Sequence, residues 1–218
     1  SPYGAVVVNG LILAENGATM SKRLKNYPDP LEVVRKYGAD ALRFYLLSSP
    51  LVRGEEVRFS ERGVDEVSKK IFNRLDNVLA FYLLYAGAKR TVSSQNVLDL
   101  WILARLHELI AEVTGALEHY EIDKAARPLG DFIDDLSTWY LRRSRERIKG
   151  DALEEREAAL ATLGSVLLEL SKVLAPFAPF FAEYLYKAVG GEKESVHLEE
   201  WSRARAFNEK VLKEMQEV

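Results

Sequence analysis

The chain begins with short apolar runs and then settles into long helical periodicity. Residues 5–8 and 11–14 are apolar and are separated by Asn9-Gly10. Apolar runs on either side of Asn-Gly predict a β-hairpin, because that dipeptide adopts the positive φ angles of a two-residue turn. Residues 15–29 are rich in Asn, Gly, Lys and Pro and read as an exposed, mobile, basic loop. Asp29-Pro30 predicts a helix start: a capping carboxylate, then the residue whose fixed φ suits a first turn. That helix runs from Leu31 to Tyr37 and stops at Gly38. Asp40 is expected to cap a second short helix, which Ser48-Ser49-Pro50 ends. Residues 57–59 are a candidate short strand.

From Ser60 the apolar positions Val64, Val67, Ile71, Leu75, Val78, Leu79, Tyr82 and Leu83 recur at three and four. This spacing puts them on one face of a long helix that ends near Ala86, with Gly87 closing it. Residues 92–96 read as a linker. Further long helices are predicted over 98–120, 123–148 and 153–174, with a shorter one over 180–189. Pro176 and Pro179 separate the last two, and Gly190-Gly191 ends the series. Residues 195–198 look strand-like, and the tail from Arg203 is charged and weakly helical. Several long amphipathic helices with short links predict an antiparallel bundle. The fold expected is therefore mainly α: a helical bundle preceded by a small α/β segment with a short hairpin.

Composition narrows the chemistry. The 218 residues contain no cysteine, which excludes disulfides, thiolate zinc sites and a Cys nucleophile. The three histidines are far apart in sequence, so no metal site is expected. The longest apolar stretch, 173–182, contains two prolines and is too short to span a membrane, and no signal peptide is recognisable. Ser1-Pro2-Tyr3-Gly4 lacks a Met and lies close to a strand-like run, which reads as a piece of a longer chain. The net charge is −3, so the total does not advertise a nucleic-acid partner. A local basic stripe can still serve one, because distant charge is screened beyond about 8 Å in physiological salt.

Two basic clusters carry the candidate chemistry. The first is the loop Met20-Ser21-Lys22-Arg23, continuing to Lys25 and Asn26. Such a loop can fold over a polyphosphate and neutralise developing charge; the plainer reading is a solvated basic loop. The second is Trp139 followed by Arg142, Arg143, Arg145, Arg147 and Lys149, which against Glu146 gives a local charge of +4. On a helix Arg142, Arg145 and Lys149 share one side, with Arg143 and Arg147 on the adjacent one. This stripe could follow a phosphate backbone. The alternative is an exposed face balanced by Asp131, Asp134 and Asp135 a turn or two earlier, or by acidic residues after Gly150. Those three carboxylates could in principle hold Mg²⁺, but no other ligand lies nearby in sequence, so pairing with arginine or water is the simpler reading. Trp101, Trp139, Tyr140, Phe177, Phe180 and Phe181 are expected in the core. Any of them left exposed could stack on an unpaired base.

These motifs carry a resemblance. Thr19-Met20-Ser21-Lys22-Arg23, then Asn26-Tyr27-Pro28-Asp29-Pro30, then Tyr37-Gly38-Ala39-Asp40-Ala41-Leu42-Arg43 resembles the KMSKS region of class I aminoacyl-tRNA synthetases. Trp101-Ile102-Leu103-Ala104-Arg105-Leu106, Asp123-Lys124-Ala125-Ala126-Arg127 and the run from Asp131 to Arg145 resemble the anticodon-binding domain of the isoleucyl branch. Leu174-Ala175-Pro176-Phe177-Ala178-Pro179-Phe180 and Ser195-Val196-His197-Leu198 extend the likeness to about residue 201.

The resemblance implies three parts. Residues 1–59 would be the end of a catalytic domain with its KMSKS loop and stem-contact fold, 60–201 an anticodon-binding bundle, and 202–218 a charged tail. It implies Lys22 as a catalytic residue, with Met20, Ser21, Lys22 and Arg23 at the phosphates of ATP, which is used with Mg²⁺. Thr19 stands where the pentad has its first lysine and cannot supply that charge. Arg23 and Lys25 are close by but out of register. Trp139, Arg142, Arg143, Arg145, Arg147 and Lys149 would meet the anticodon stem-loop of tRNA(Ile). The parent would be a cytoplasmic ligase joining isoleucine to its tRNA through isoleucyl-adenylate. Its amino-acid site and editing domain would lie before Ser1, so this segment alone is expected to be inactive and to bind no cofactor tightly. A non-catalytic tRNA-binding or assembly module and a plain helical interaction domain are the rival readings.

Overall fold

The computed structural model describes residues 2–87 and 94–216. Ser1, the start of the expected linker at 92–93 and the last two residues of the tail lie outside the described residues. Helices dominate, as the periodicity predicts. The N-terminal part holds β1 (Ile12–Leu13), α1 (Pro30–Tyr37), α2 (Ala39–Leu47), a 3₁₀ turn (Pro50–Arg53) and β2 (Val57–Arg58). The bundle then follows as antiparallel rods. The first joins α3 (Glu61–Val67), a π-helical segment (Ser68–Asn73) and α4 (Arg74–Tyr85). The second is α5 (Val97–Glu118). The third joins α6 (Ile122–Asp134), a second π-helical segment (Asp135–Leu141) and α7 (Arg142–Lys149). After these come α8 (Leu153–Leu174), α9 (Pro179–Ala188), a 3₁₀ turn (Val196–Leu198) and α10 (Glu209–Gln216).

Local chemistry sets these boundaries. The Asp29 carboxylate accepts from the Leu31 N–H at 2.9 Å, Ser60 Oγ from the Gly63 N–H at 3.3 Å, and Asn96 Oδ1 from the Leu98 N–H at 3.0 Å. Each satisfies a donor that the first turn of a helix cannot pair internally. The core runs through every rod, with Leu75, Leu79, Ile102, Leu106, Phe132, Tyr140, Leu163 and Tyr186 buried. Val33, Ala41, Phe44 and Phe59 belong to the same cluster, so the N-terminal helices pack directly on the bundle.

The N-terminal pairing differs from the hairpin expected across Asn9-Gly10. β1 instead pairs parallel with β2, in register Ile12 with Val57 and Leu13 with Arg58. Gly10 is a close approach rather than a turn: its N–H donates to the Leu51 carbonyl at 2.7 Å, and a Cβ there would fall 1.8 Å from the Glu55 carbonyl oxygen. The tight turn lies further on, at Gly17 with φ +82°, and closes a single antiparallel bridge from Leu13 to Thr19. Residues 195–198 form a 3₁₀ turn instead of a strand. Glu183 of α9 accepts there from the Val196 N–H at 2.8 Å and from Ser195 Oγ at 2.9 Å, and so takes one backbone donor that a sheet would need.

Asp40 also departs from expectation. It lies in the first turn of α2, whose N-cap position is Gly38, and its carboxylate crosses to another helix. Asp40 Oδ2 accepts from the Phe181 N–H at 2.7 Å, in the first turn of α9, and Arg43 pairs with the same carboxylate. Arg127 adds a second tie, donating from Nε to the Ser48 carbonyl at 3.0 Å. Phe180, expected in the core, is instead 68% exposed, with the Arg43 guanidinium 5.5 Å from its ring.

Candidate nucleic-acid interface

The two basic clusters occupy different parts of the molecule. The first follows the Gly17 turn. Asn26 braces it: Oδ1 accepts from the Ser21 N–H at 2.9 Å, and Nδ2 donates to the Thr19 carbonyl at 3.1 Å. The Lys25 N–H closes onto the Ser21 carbonyl at 3.0 Å, and Lys25 itself has φ +46°. The segment therefore has a defined shape without a regular element. Lys22 and Arg23 project from it, exposed, and among the described residues neither meets a carboxylate. Met20 turns the other way. With Ile12, Tyr27, Leu42 and Phe59 it lines an apolar hollow of about 150 Å³. It also borders a more polar hollow with Lys25 and Asn26.

The second cluster lies along α7. Arg142, Arg143, Arg145 and Lys149 are exposed. Of the three carboxylates that might have balanced them, Asp131 is exposed and the other two are engaged elsewhere. Asp134 pairs with Arg74 of α4, and Asp135 Oδ2 accepts from Arg105 Nε of α5 at 3.0 Å. Burial pushes the Asp135 carboxyl up, against the pull of Arg105. Among the described residues no group of acids and histidines is placed to hold a metal ion.

Arg147 is committed to the interior, unlike the rest of the row. It is bidentate on Asp99, with Nη1 to Oδ1 at 3.1 Å and Nη2 to Oδ2 at 2.8 Å, and its Nε meets Glu155 at 3.0 Å. Asp99 is fully buried in the first turn of α5, where it also accepts from the Tyr140 hydroxyl at 2.7 Å and from Ser94. Burial alone would lower the Arg147 pKa, but the hydrogen bonds and charge of Asp99 outweigh it and raise it. Burial, with the same carboxylate beside it, pushes the Tyr140 phenol well above its ordinary value.

The row splits into two flanks. Arg143 lies over the Trp139 ring at 3.8 Å, and that ring meets Trp101 of α5 edge-on at 6.5 Å. Among the described residues the buried Trp139 indole N–H finds no acceptor. On the other flank the Arg145 guanidinium sits 5.8 Å from the Phe81 ring of α4. Phe81 and Tyr85, one turn apart on α4, were not among the aromatic residues that the sequence singled out. The signal was present: from Asn77 to Gly87 no residue is charged. Asp99 was missed because a lone acid at a helix start reads as a solvated one.

The helical bundle behind a small α/β segment defines an architecture, and comparison with known proteins gives its class. A family model described as the anticodon-binding domain of tRNA ligase matches residues 99–218, and the chain belongs to that family. A model for class I tRNA synthetases (I, L, M and V) matches residues 1–58. The particular relatives are isoleucine–tRNA ligases. That of Chlamydia trachomatis serovar A is 46% identical over 88% of this chain and 20% of its own length. The cytoplasmic one of Caenorhabditis elegans is 42% identical over 90% and 19%. That of Bdellovibrio bacteriovorus is 43% identical over 94% and 20%. The chain thus spans about a fifth of these relatives. A solved ternary complex, LeuRS–tRNA–LeuAMS of Agrobacterium radiobacter K84, superposes with a TM-score of 0.68 at 23% identity, covering 94% of this chain and 24% of that one. At that identity the likeness concerns the fold. No described helix is long and apolar enough to cross a membrane.

Proposed function

We propose that this chain is the tRNA-binding segment of a cytoplasmic isoleucine–tRNA ligase and that α7 presents its arginines to the backbone of the anticodon arm of tRNA(Ile). The observation that carries this reading is the freedom of Arg142, Arg143 and Arg145. Two of the three acids that precede them in sequence, Asp134 and Asp135, are held by Arg74 and Arg105, and among the described residues none of the three arginines pairs with a carboxylate, so the row keeps its charge for a phosphate partner. Lys22 and Arg23 belong to a separate task. In the parent ligase they would hold the phosphates of ATP, whose cleavage supplies the activation of isoleucine. Their exposure and lack of carboxylate partners suit that role, whereas Thr19 leaves the loop one cation short of the motif.

The test is binding of the chain to tRNA(Ile) over a range of salt. Each phosphate neutralised contributes about 0.9 to the slope of log affinity against log salt. Changing Arg142, Arg143 and Arg145 together to Ala is expected to weaken binding and to flatten that slope by about 2–3. Affinity and slope both unchanged would sink the reading.

A further inference from the structure

α7 is only eight residues long, and its rotational setting has to come from outside it. The π-helical segment Asp135–Leu141 directly precedes it. Such a segment replaces the bonding pattern of an α-helix with a wider one, so α7 does not simply continue the phase of α6. Asp99 supplies the missing reference. Its carboxylate, buried in the first turn of α5, accepts from the Tyr140 hydroxyl at 2.7 Å and from Arg147 at 3.1 and 2.8 Å. Tyr140 and Arg147 are separated by about two turns and therefore point the same way. Buried Ser144 lies between them on that side. The Tyr140 hydroxyl is also 3.3 Å from the Ala159 carbonyl of α8, and Arg147 Nε donates to Glu155 of α8 at 3.0 Å. Both ends of these two turns are thus held against α5 and α8. At about 100° per residue, Arg142, Arg145 and Lys149 fall on the opposite side, and all three are exposed.

We propose that Arg147, through Asp99, is a positioning residue for RNA binding: the buried clamp holds α7 at the rotation that turns Arg142, Arg145 and Lys149 outward together. The inference rests on the reading that α7 binds RNA. Arg147 lies within the basic run but does not share its task, because its guanidinium is engaged by Asp99 and Glu155. Asp99 is fully buried and cannot reach an RNA, so changing it separates positioning from contact.

The experiment measures binding of tRNA(Ile) to the unaltered chain, to Asp99→Asn, to Arg147→Lys and to the variant with Arg142, Arg143 and Arg145 changed to Ala. Each is held at a temperature where circular dichroism shows it folded. Arg147→Lys keeps the charge but not the planar fork that spans both carboxylate oxygens. Asp99→Asn and Arg147→Lys are each expected to weaken binding by about 2–30-fold, the range for positions that act on a site without touching its ligand. Each should flatten the salt slope by about 1–2, as one or two phosphate contacts are lost. Asp99→Asn added to the triple variant should cause little further loss, at a salt where that variant still binds measurably. A full further loss overturns the proposal. Asp99→Asn binding as tightly as the unaltered chain, or more tightly, while the triple variant is weakened, overturns the positioning role and leaves the RNA reading standing. A triple variant that binds normally fails the RNA reading itself. Weakening by Arg147→Lys alone would make Arg147 a direct contact and overturn its positioning role. An equal loss in Phe44→Ala, a buried change in α2, would also overturn it, because general loosening then explains the effect. If Asp99→Asn does not fold, Tyr140→Phe decides, since it removes only the hydroxyl that donates to Asp99. It is expected to weaken binding about twofold, the low end of the same range, and unaltered binding overturns the proposal.

Discussion

Arg147 and Arg145 are two residues apart on α7 and have opposite tasks. The Arg147 side chain is only 16% exposed and neutralises a carboxylate with no access to water, whereas Arg145 lies at the surface beside Phe81. Removing one partner of a buried ion pair leaves the other charge uncompensated, which costs far more than losing an exposed pair. Arg147→Ala is therefore expected to lower stability by about 3 kcal/mol, the lower end for such pairs, because Tyr140 and Ser94 still hydrogen-bond Asp99. Arg145→Ala should leave stability within about 0.5 kcal/mol, as for most surface changes. Urea unfolding of the two variants distinguishes the roles. The sequence offers the five cations as one stripe. Nothing in their spacing shows that one of them answers Asp99, 48 positions earlier.

At the scale of elements, the rods were legible and their irregularities were not. Apolar positions at three and four locate the long helices, because burying one stripe is what makes an isolated helix stable. The two π-helical segments leave no trace in that pattern, since both interrupt rods whose flanking turns remain amphipathic. The first packs on α6 and the second on α4, so each is a tertiary adjustment. The strand expected at 195–198 failed for a similar reason: the Val196 N–H is taken by Glu183, a residue of another element. That contact should be measurable in acid. The Val196 N–H, with help from Ser195 and Lys187, holds the Glu183 carboxyl below its ordinary 4.5. A lowered folded-state value means that the stabilisation is complete above the unfolded value and is lost as pH falls through the folded one. Glu183→Gln is expected to lower the melting temperature at neutral pH and to reduce its fall below about pH 4.5. A melting profile across acid pH checks both. The arginine row was equally legible as a candidate site, but Phe81 and Tyr85 were not, because only the packing of α4 against the third rod brings them to it.

At the scale of the whole molecule, the N-terminal helices and the bundle are one packed body sharing one core. Asp40 is a principal joint. Its carboxylate serves a helix start that Pro179 and the neighbouring residues leave without a side-chain cap of their own. Asp40→Ala is expected to lower stability by about 1–2 kcal/mol, as for loss of a helix cap, and to quicken hydrogen exchange first at the Phe181 amide. Exchange measured by mass spectrometry after proteolysis would show whether the loosening spreads from there into α2.

The same joint dictates an order of events during synthesis. The amide that answers Asp40 is 141 positions downstream, so a nascent chain emerges from the ribosome with only the nearby Arg43 to answer that carboxylate. At about 5–20 residues per second the wait lasts roughly 7–30 s. The joint between α2 and α9 thus closes late, once α9 has been made, and until then water stands in for the Phe181 amide at Asp40.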